Sequence, residues 1–252
     1  MFTEFKILRQ WLHDTKYDLG LDSLLLPMKK RQEGYVFTKR DHMEALLLSI
    51  LSANRPWIGI VEHLDDLKEI FHDYDPDFLR TASPDNLVRQ ITAVDCGNRR
   101  IVQQMQEIPY NIQILDRIEE ACGSVDNPMQ IASNPENTID VLWVYSNPKS
   151  ALKFKGVAVA LAAQYMKNLG VDLVKPDVHL RRILERWGYT IGLPDEYTTI
   201  AICQSIAKEC DITQTEVGTI LWQFCATGYI QCCDAKPKCD NCPIATECFY
   251  NK

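Results

Sequence analysis

Apolar residues recur every three or four positions along most of this chain, a period that predicts amphipathic α-helices. The pattern predicts helices over residues 41–52, 58–71, 83–94, 98–108, 112–121, 157–169 and 180–187. Short polar turns divide these segments, while residues 32–39 (QEGYVFTK) fit either a short strand or an extended linker. Helices of about a dozen residues joined by short loops predict an all-α fold.

Signals for helix ends agree with several of these bounds. Ser83 is a typical N-cap, because Pro84 and Asp85 follow it in the first helical turn. Gly170 follows the last apolar position of the 157–169 helix, at the place where glycine commonly ends a helix.

The composition is typical of a globular protein. The chain has 252 residues, a length sufficient for one large or two small domains. Of these residues, 46 % are hydrophobic and 24 % are charged. The first residues, MFTEFKILRQW, contain no uninterrupted apolar run of the secretory type, and no apolar stretch is long enough to cross a bilayer. We therefore expect a cytoplasmic protein with no membrane partner, in which the ten cysteines are reduced.

The net charge of −7 argues mildly against nucleic-acid binding, because DNA binding needs a positive surface. Net charge does not describe the distribution of charge, however. Basic runs occur at residues 29–31, 39–40, 99–100, 149–155 and 181–182. A solvated surface is the simpler explanation of each run taken alone, and for most of them it is the better one.

Four cysteines near the C-terminus, Cys232, Cys239, Cys242 and Cys248, have the spacing C-x6-C-x2-C-x5-C. Four thiolates this close in sequence can hold a [4Fe–4S] cluster. Structural zinc sites usually contain two tight pairs, and only Cys239–Cys242 is tight here. A disulfide framework is disfavoured by the size of the chain and by the lack of a secretory signal. We expect an iron–sulfur cluster, with zinc as the alternative and with the adjacent Cys233 as a bystander.

A second motif surrounds Gly156, which precedes the predicted 157–169 helix. A glycine turn that leads into a helix N-terminus exposes backbone N–H groups to an anion such as a DNA phosphate. Without other evidence, an ordinary turn explains this glycine more simply.

Taken together, the motifs resemble a known family. The cysteine spacing is similar to the cluster loop of the endonuclease III class of DNA glycosylases. The sequence FKGVA at residues 154–158 resembles the L-P-G-V-G hairpin of the wider helix-hairpin-helix glycosylase superfamily, with an alanine in place of the second glycine. The sequence PDVH at residues 176–179, followed by Arg182, resembles that superfamily's V-D-T-H-V-x-R.

Two weaker matches lie upstream. The sequence LSILSAN at residues 48–54 resembles the superfamily's L-L-S-A-Q, and GNRRI at residues 97–101 resembles its Y-N-x-K-A. The resemblance therefore spans most of the chain, from about Met43 to Cys248.

The resemblance implies a fold of two helical domains. A six-helix barrel-like domain with the helix-hairpin-helix, residues 36–170, would be inserted into a discontinuous domain formed by residues 1–35 and 171–252. The second domain would carry the [4Fe–4S] loop at residues 232–248. The resemblance places the active site in the cleft between the two domains.

The resemblance also implies roles for individual residues. Asp177 would be the catalytic carboxylate, which stabilises positive charge on the deoxyribose and assists a water molecule. Its simpler reading from the residues alone is the N-cap of the following helix. DNA would be bound by Asn54, Lys155, Gly156, Val157, Ala158, Asn98 and Arg99, with Asn54 filling the gap that a flipped base leaves. Trp57 and Ser49 would line the substrate pocket, and His179 would be structural.

One departure from the family is informative. Bifunctional members carry a lysine two residues after the second hairpin glycine, where this chain has Ala160. Lys153 and Lys155 precede the helix and would need a different geometry. We therefore expect a monofunctional DNA glycosylase that uses water to release a damaged or mismatched base from double-stranded DNA.

The resemblance further implies a monomer associated with the nucleoid in the cytoplasm. Three alternatives stay open. They are an inactive DNA-binding protein that has kept the cluster and the hairpin, a bifunctional glycosylase and lyase with an unrecognised lysine, and a zinc or redox module unrelated to DNA.

Overall fold

The structure is a computed structural model that describes residues 1–53 and 55–251. The described residues form α-helices, two short 3-10 helices and connecting loops, with no β-strand among them. The predicted all-α class is therefore confirmed. Residues 33–38, between two helices, form an extended linker and not a strand.

The helices follow one another at short intervals. In chain order they are α1 (Thr3–Asp14), α2 (Leu21–Gln32), α3 (Lys39–Leu51), α4 (Ile58–Val61), α5 (Leu64–Ile70), α6 (Pro76–Thr81), α7 (Pro84–Ala93), α8 (Ile101–Cys122), α9 (Asn127–Ala132), α10 (Thr138–Ser146), α11 (Val159–Asn168), α12 (Val178–Arg186), α13 (Glu196–Cys210) and α14 (Gln214–Cys225).

Several predicted ends are confirmed. Ser83 caps α7, because its side chain accepts a hydrogen bond from the backbone N–H of Asn86. Gly170 follows α11 with a φ of +82°. A Cβ atom at Gly170 would also collide with the backbone carbonyl of Pro27. Both the positive φ and the lack of space therefore require glycine at this position.

Two predictions of helix extent were wrong. The segment predicted as one helix over residues 58–71 is divided into α4 and α5 by a turn at Glu62 and His63. Conversely, the two helices predicted on either side of Pro109 are the single helix α8. A proline removes one helical hydrogen bond. Here the helix continues because its apolar stripe is buried on both sides of the proline, at Ile108 and Ile112.

The chain divides into two compact units, Pro27–Val171 and the discontinuous pair Met1–Leu26 and Asp172–Lys252. The first boundary lies inside α2, earlier than the predicted boundary after residue 35. Arg31 explains the difference, because its guanidinium binds Asp126 and the carbonyl of Leu169, deep in the Pro27–Val171 unit.

The Pro27–Val171 unit is held by a buried carboxylate. Asp126 has no exposed surface, and Arg31 donates two hydrogen bonds to it, at 3.1 and 2.8 Å. The backbone N–H of Phe37 donates a third, at 3.2 Å, and His42 Nε2 lies 3.3 Å away. Burial alone raises the pKa of Asp126, but the hydrogen bonds from His42 and Arg31 outweigh it and the pKa lies below its ordinary value.

Aromatic packing extends this network to the end of the unit that carries the candidate hairpin. The hydroxyl of Tyr165 on α11 lies 2.5 Å from His42 Nδ1. The ring of Tyr165 packs edge-on against Phe154, and Phe154 stacks on Tyr145 of α10, each at 5.2 Å between ring centroids. All three aromatic side chains are fully buried. The buried side chain of Phe154, the first residue of the turn before α11, therefore anchors that turn.

The second unit packs α12 and α13 against α14. Asp172 leads into it, and its carboxylate accepts the backbone N–H groups of Gln214 and Thr215 at 3.1 and 2.9 Å. These N–H groups belong to the first turn of α14, where an acidic group is favourable. Helix α1 joins the same unit through Trp11, whose ring contacts Phe224 of α14. Among the described residues, no helix is both long and apolar enough to span a membrane.

Replacing Asp126 with asparagine is expected to destabilise the protein by about 3–5 kcal/mol, because it leaves the buried charge of Arg31 without its partner. Urea unfolding followed by helical circular dichroism measures the loss. Asp116→Asn is the matched control, since Asp116 is a partly exposed member of a surface ion-pair group and its loss should cost at most about 1 kcal/mol. Equal losses would contradict the central role of Asp126.

The same carboxylate predicts a dependence of stability on pH. Because the pKa of Asp126 is lowered in the folded protein, its contribution is complete above the unfolded value of about 3.9 and is lost as the pH falls through the folded value. The unfolding free energy of the wild-type protein should therefore fall more steeply below about pH 4 than that of Asp126→Asn. Parallel curves for the two proteins would show that this carboxylate does not titrate as described.

Candidate functional site

The hairpin turn, residues 154–158, leads directly into α11 and is held by α8. The side chain of Asn111 accepts the backbone N–H of Lys155 at 2.8 Å and donates to its carbonyl at 3.2 Å. Gly156 follows with a φ of +73°. Ala158 is the N-cap of α11 and makes no side-chain capping bond, so the side chain at this position satisfies none of the first N–H groups of α11.

Two lysines border the hairpin turn, and both are engaged. The ammonium of Lys153 donates to the carbonyls of Phe154 and Val157, at 2.9 and 2.7 Å. Burial lowers the pKa of Lys153, although the nearby Glu107 acts in the opposite direction. Lys155 is exposed, and its ammonium lies 4.1 Å from the ring centroid of Tyr110. Neither lysine belongs to α11 itself.

An acidic side chain lies beside the hairpin turn, a feature that sequence reasoning missed. A Cβ atom built on Gly156 would come within 2.6 Å of a carboxylate oxygen of Glu107. Gly156 is therefore needed for its backbone conformation, whereas the end of the Glu107 side chain could shift to make space. The carboxylate of Glu107 disfavours an anion at this turn, so phosphate binding there requires this side chain to move.

The upstream residues predicted to bind DNA or to line the pocket differ in accessibility. Asn98 is partly buried and donates to the carbonyl of Ile50 at the end of α3, at 3.2 Å. Arg99 is exposed. Ser49 has no exposed surface and donates to the carbonyl of Ala45, so in this structure it packs inside the unit and does not face open space.

Two further predicted residues precede or begin α4. Trp57 is half-buried at the N-cap of α4. Asn54, which we predicted to fill the gap left by a flipped base, lies outside the described residues.

Asp177 occupies the N-cap of α12, in the discontinuous unit. Its Oδ1 atom accepts the backbone N–H of His179 at 2.9 Å and that of Leu180 at 3.4 Å. Its Oδ2 atom accepts no hydrogen bond from the described residues. The helix thus fixes the carboxylate through one oxygen. The capping role predicted from the sequence is confirmed, and it does not exclude a catalytic one.

A third lysine, also missed by sequence reasoning, lies two residues before Asp177. The backbone N–H of Asp177 donates to the carbonyl of Lys175 at 2.8 Å. Burial lowers the pKa of Lys175, with the Asp177 carboxylate acting in the opposite direction. Burial also lowers the pKa of His179, whose ring lies edge-on to Trp222 with 6.3 Å between centroids.

The four candidate metal-binding cysteines line one partly enclosed cavity. The cavity contains about 320 Å³ of space not filled by atoms, counting its open mouth, and Cys233 also lies on its wall. Cys232 and Cys248 are buried, whereas Cys239 and Cys242 are half-buried. The residues from 232 to 248 are called the cysteine loop below.

The donor set is suited to an iron–sulfur cluster, because thiolates are the ligands such clusters prefer. The interaction of Cys232 with Cys242 lowers the pKa of Cys242 to about 7 and raises that of Cys232. Within residues 1–53 and 55–251, no three His, Cys, Asp or Glu side chains are placed to bind a single metal ion. The four cysteines line one cavity, and their thiols are the donor type of both iron–sulfur clusters and structural zinc sites.

The fold of this chain is similar to that of known protein structures. No protein-family model and no curated protein matches the chain. Among solved structures, the chain is similar to the Methanocaldococcus jannaschii 8-oxoguanine glycosylase/lyase in complex with a 15mer DNA containing 8-oxoguanine. The TM-score is 0.65 at 16 % identity, over 91 % of this chain and 99 % of that one.

A second solved structure, the Methanocaldococcus jannaschii 8-oxoguanine DNA glycosylase, has a TM-score of 0.60 at 18 % identity. The match covers 87 % of this chain and 91 % of that one. The chain thus has the helical fold of these two structures. At such low identity the likeness concerns the fold and leaves the chemistry to be argued from the residues.

Proposed function

We propose that the protein is a DNA glycosylase that removes a damaged or mismatched base from double-stranded DNA. The observation that carries the proposal is the carboxylate of Asp177. Its Oδ1 atom is held by two backbone N–H groups of α12 while its Oδ2 atom accepts no bond from the described residues. The fold supports the proposal, since both solved structures above are named as glycosylases of a damaged base.

The proposed chemistry is hydrolysis of the N-glycosidic bond. As this bond breaks, positive charge develops on the deoxyribose, and a fixed carboxylate nearby stabilises that charge. The two N–H bonds to Oδ1 of Asp177 keep the carboxylate oriented. Oδ2 is then the oxygen that faces the sugar or accepts a proton from water. The target base must first leave the duplex, because its glycosidic bond is not accessible inside the stack.

We propose hydrolysis without strand cleavage, because the residue that corresponds to the family's lysine is Ala160. Lys153 supports this, since its ammonium is already bonded to two carbonyls of the hairpin turn. A lyase reaction is the second candidate, favoured by Lys175. Lys175 lies two residues before Asp177, and burial lowers its pKa, which is the direction that Schiff-base chemistry favours.

We also propose that Cys232, Cys239, Cys242 and Cys248 hold a [4Fe–4S] cluster. When bound, the cluster would stabilise the cysteine loop and position it for DNA, and it would take no part in base release. The cavity that all four cysteines line supports this assignment. The expected partner is duplex DNA, bound by a monomer through the hairpin turn and the exposed Arg99.

Base release from a panel of end-labelled duplexes tests the proposed activity. The duplexes carry uracil, thymine opposite guanine, hypoxanthine, an alkylated adenine, an oxidised pyrimidine, or oxidised guanine opposite each base. We expect strand cleavage of at least one duplex, and only after hot alkali. Cleavage without alkali that Lys175→Gln abolishes would favour the lyase alternative. DNA binding with no cleavage of any duplex would favour an inactive binding protein.

Replacing Asp177 with asparagine separates catalysis from helix capping. Asparagine caps helices as well as aspartate does, so Asp177→Asn should keep its unfolding free energy within about 0.5 kcal/mol of the wild-type value. We expect base release to fall by about 10³-fold or more, because the charge that stabilises the sugar is gone. Asp177→Ala should lose activity and about 1 kcal/mol of stability together. Unchanged activity in Asp177→Asn would remove this residue from the mechanism.

Replacing Cys239 with serine tests the metal assignment. We expect Cys239→Ser to lose iron and to destabilise the discontinuous unit, because metal binding is coupled to folding. Iron and sulfide per chain, together with visible absorption of the anaerobically purified protein, measure the loss. Cys233→Ser is the matched control and should retain iron, since Cys233 is the predicted bystander in the same loop. Equal iron content in Cys239→Ser and the wild-type protein would contradict the assignment of Cys239 as a cluster ligand.

A further inference from the structure

The cysteine loop is bound by the last residue of α12. Arg186 is only 8 % exposed. Its Nη1 atom donates to the carbonyls of Cys233 and Asp234, at 3.2 and 2.6 Å, and lies 3.3 Å from the sulfur of Cys233. Its Nη2 atom donates to the carbonyl of Ala235 at 3.4 Å. The guanidinium thus contacts three consecutive residues of the loop.

The positive charge of Arg186 faces backbone carbonyls and the sulfur of Cys233. Among the described residues, no carboxylate lies within ion-pair distance of the guanidinium. The ring of Tyr250 also lies near it, with 5.2 Å between Cζ and the ring centroid. Arginine does not lose its proton in proteins, so the charge persists. A buried charge without a counter-charge is costly, and carbonyl hydrogen bonds reduce that cost without neutralising the charge.

The place of this charge points to its counter-charge. Arg186 lies on the wall of the cavity that the cysteines line, and its own carbonyl lies 3.5 Å from the thiol of Cys248. Four thiolates around a [4Fe–4S] core with two positive charges carry a net charge of about −2. Neutral thiols or disulfides would offer the guanidinium no negative charge at all.

We propose that Arg186 is the counter-charge of the cluster and retains it chiefly through electrostatic attraction. The inference rests on the proposed [4Fe–4S] assignment and deepens it. Hydrogen bonding alone would give Arg186 a different role, that of shaping the loop. The two roles are separable, because lysine keeps the charge without the planar fork of donors, whereas glutamine keeps an N–H donor group without the charge.

The test compares Arg186→Lys and Arg186→Gln with the wild-type protein. Each protein is purified without oxygen, and iron per chain is measured first. The rate of iron release to an excess of a ferrous chelator is then followed. We expect Arg186→Gln to release iron about tenfold faster or more, which is the usual effect of losing a group that supports metal ligands. Arg186→Lys should stay within about threefold of the wild-type rate.

The matched control is Arg181→Gln on the same helix. Arg181 binds the carbonyl of Pro194 and the carboxylate of Glu196, so this change should not affect iron release. Helical circular dichroism shows whether each variant folds. If Arg186→Gln does not fold, Arg186→Lys is compared with the wild-type protein alone. A wild-type rate would support the inference by showing that the planar fork of donors is unnecessary, and rapid loss would assign Arg186 to loop geometry.

Three results would overturn the inference. Wild-type rates in Arg186→Gln would show that the charge is unnecessary. Equally rapid loss from Arg186→Lys and Arg186→Gln would assign Arg186 to loop geometry. A wild-type protein purified without iron would overturn the cluster assignment itself, a failure distinct from the other two because it precedes any comparison of variants.

Discussion

The buried carboxylate of Asp126 is the constraint on which the Pro27–Val171 unit depends. It holds Arg31 and His42, which lie on either side of the linker between α2 and α3. With His42 Nε2 donating to Asp126, His42 Nδ1 is left to accept the hydroxyl of Tyr165 on α11. The ring of Tyr165 in turn packs against Phe154, the first residue of the hairpin turn. A charge network far from the hairpin in sequence therefore determines where the hairpin lies.

Helix α12 plays a comparable part in the discontinuous unit. Asp177 begins the helix and is fixed by its first N–H groups, while Arg186 ends it and binds the cysteine loop. The helix has nine residues. The candidate catalytic carboxylate and the contacts to the cysteine loop thus lie at opposite ends of one short helix.

The negative charge of this chain is unusual for a DNA-binding protein, which needs a positive surface. The protein has a net charge of −7, and Glu107 lies against the turn where a phosphate was expected. The proposed binding to duplex DNA would then depend on local basic groups such as Arg99 and Lys155, and on movement of Glu107. The two solved structures with this fold share 16 % and 18 % identity with the chain. A shared fold accommodates different sites, so the residues decide the function.

The sequence by itself determined the helical class, the capping roles of Ser83 and Asp177, and the glycine stop at position 170, because these depend on periodicity and on local hydrogen bonds. It also placed four cysteines in one loop. Tertiary structure decided the rest. Packing on both sides of Pro109 kept α8 whole, and Arg31 moved the boundary between the units. Contacts across long sequence distances placed Glu107 beside Gly156 and Arg186 beside the cysteine loop. Such contacts leave no periodic trace in the sequence, since they depend on which helix faces pack together.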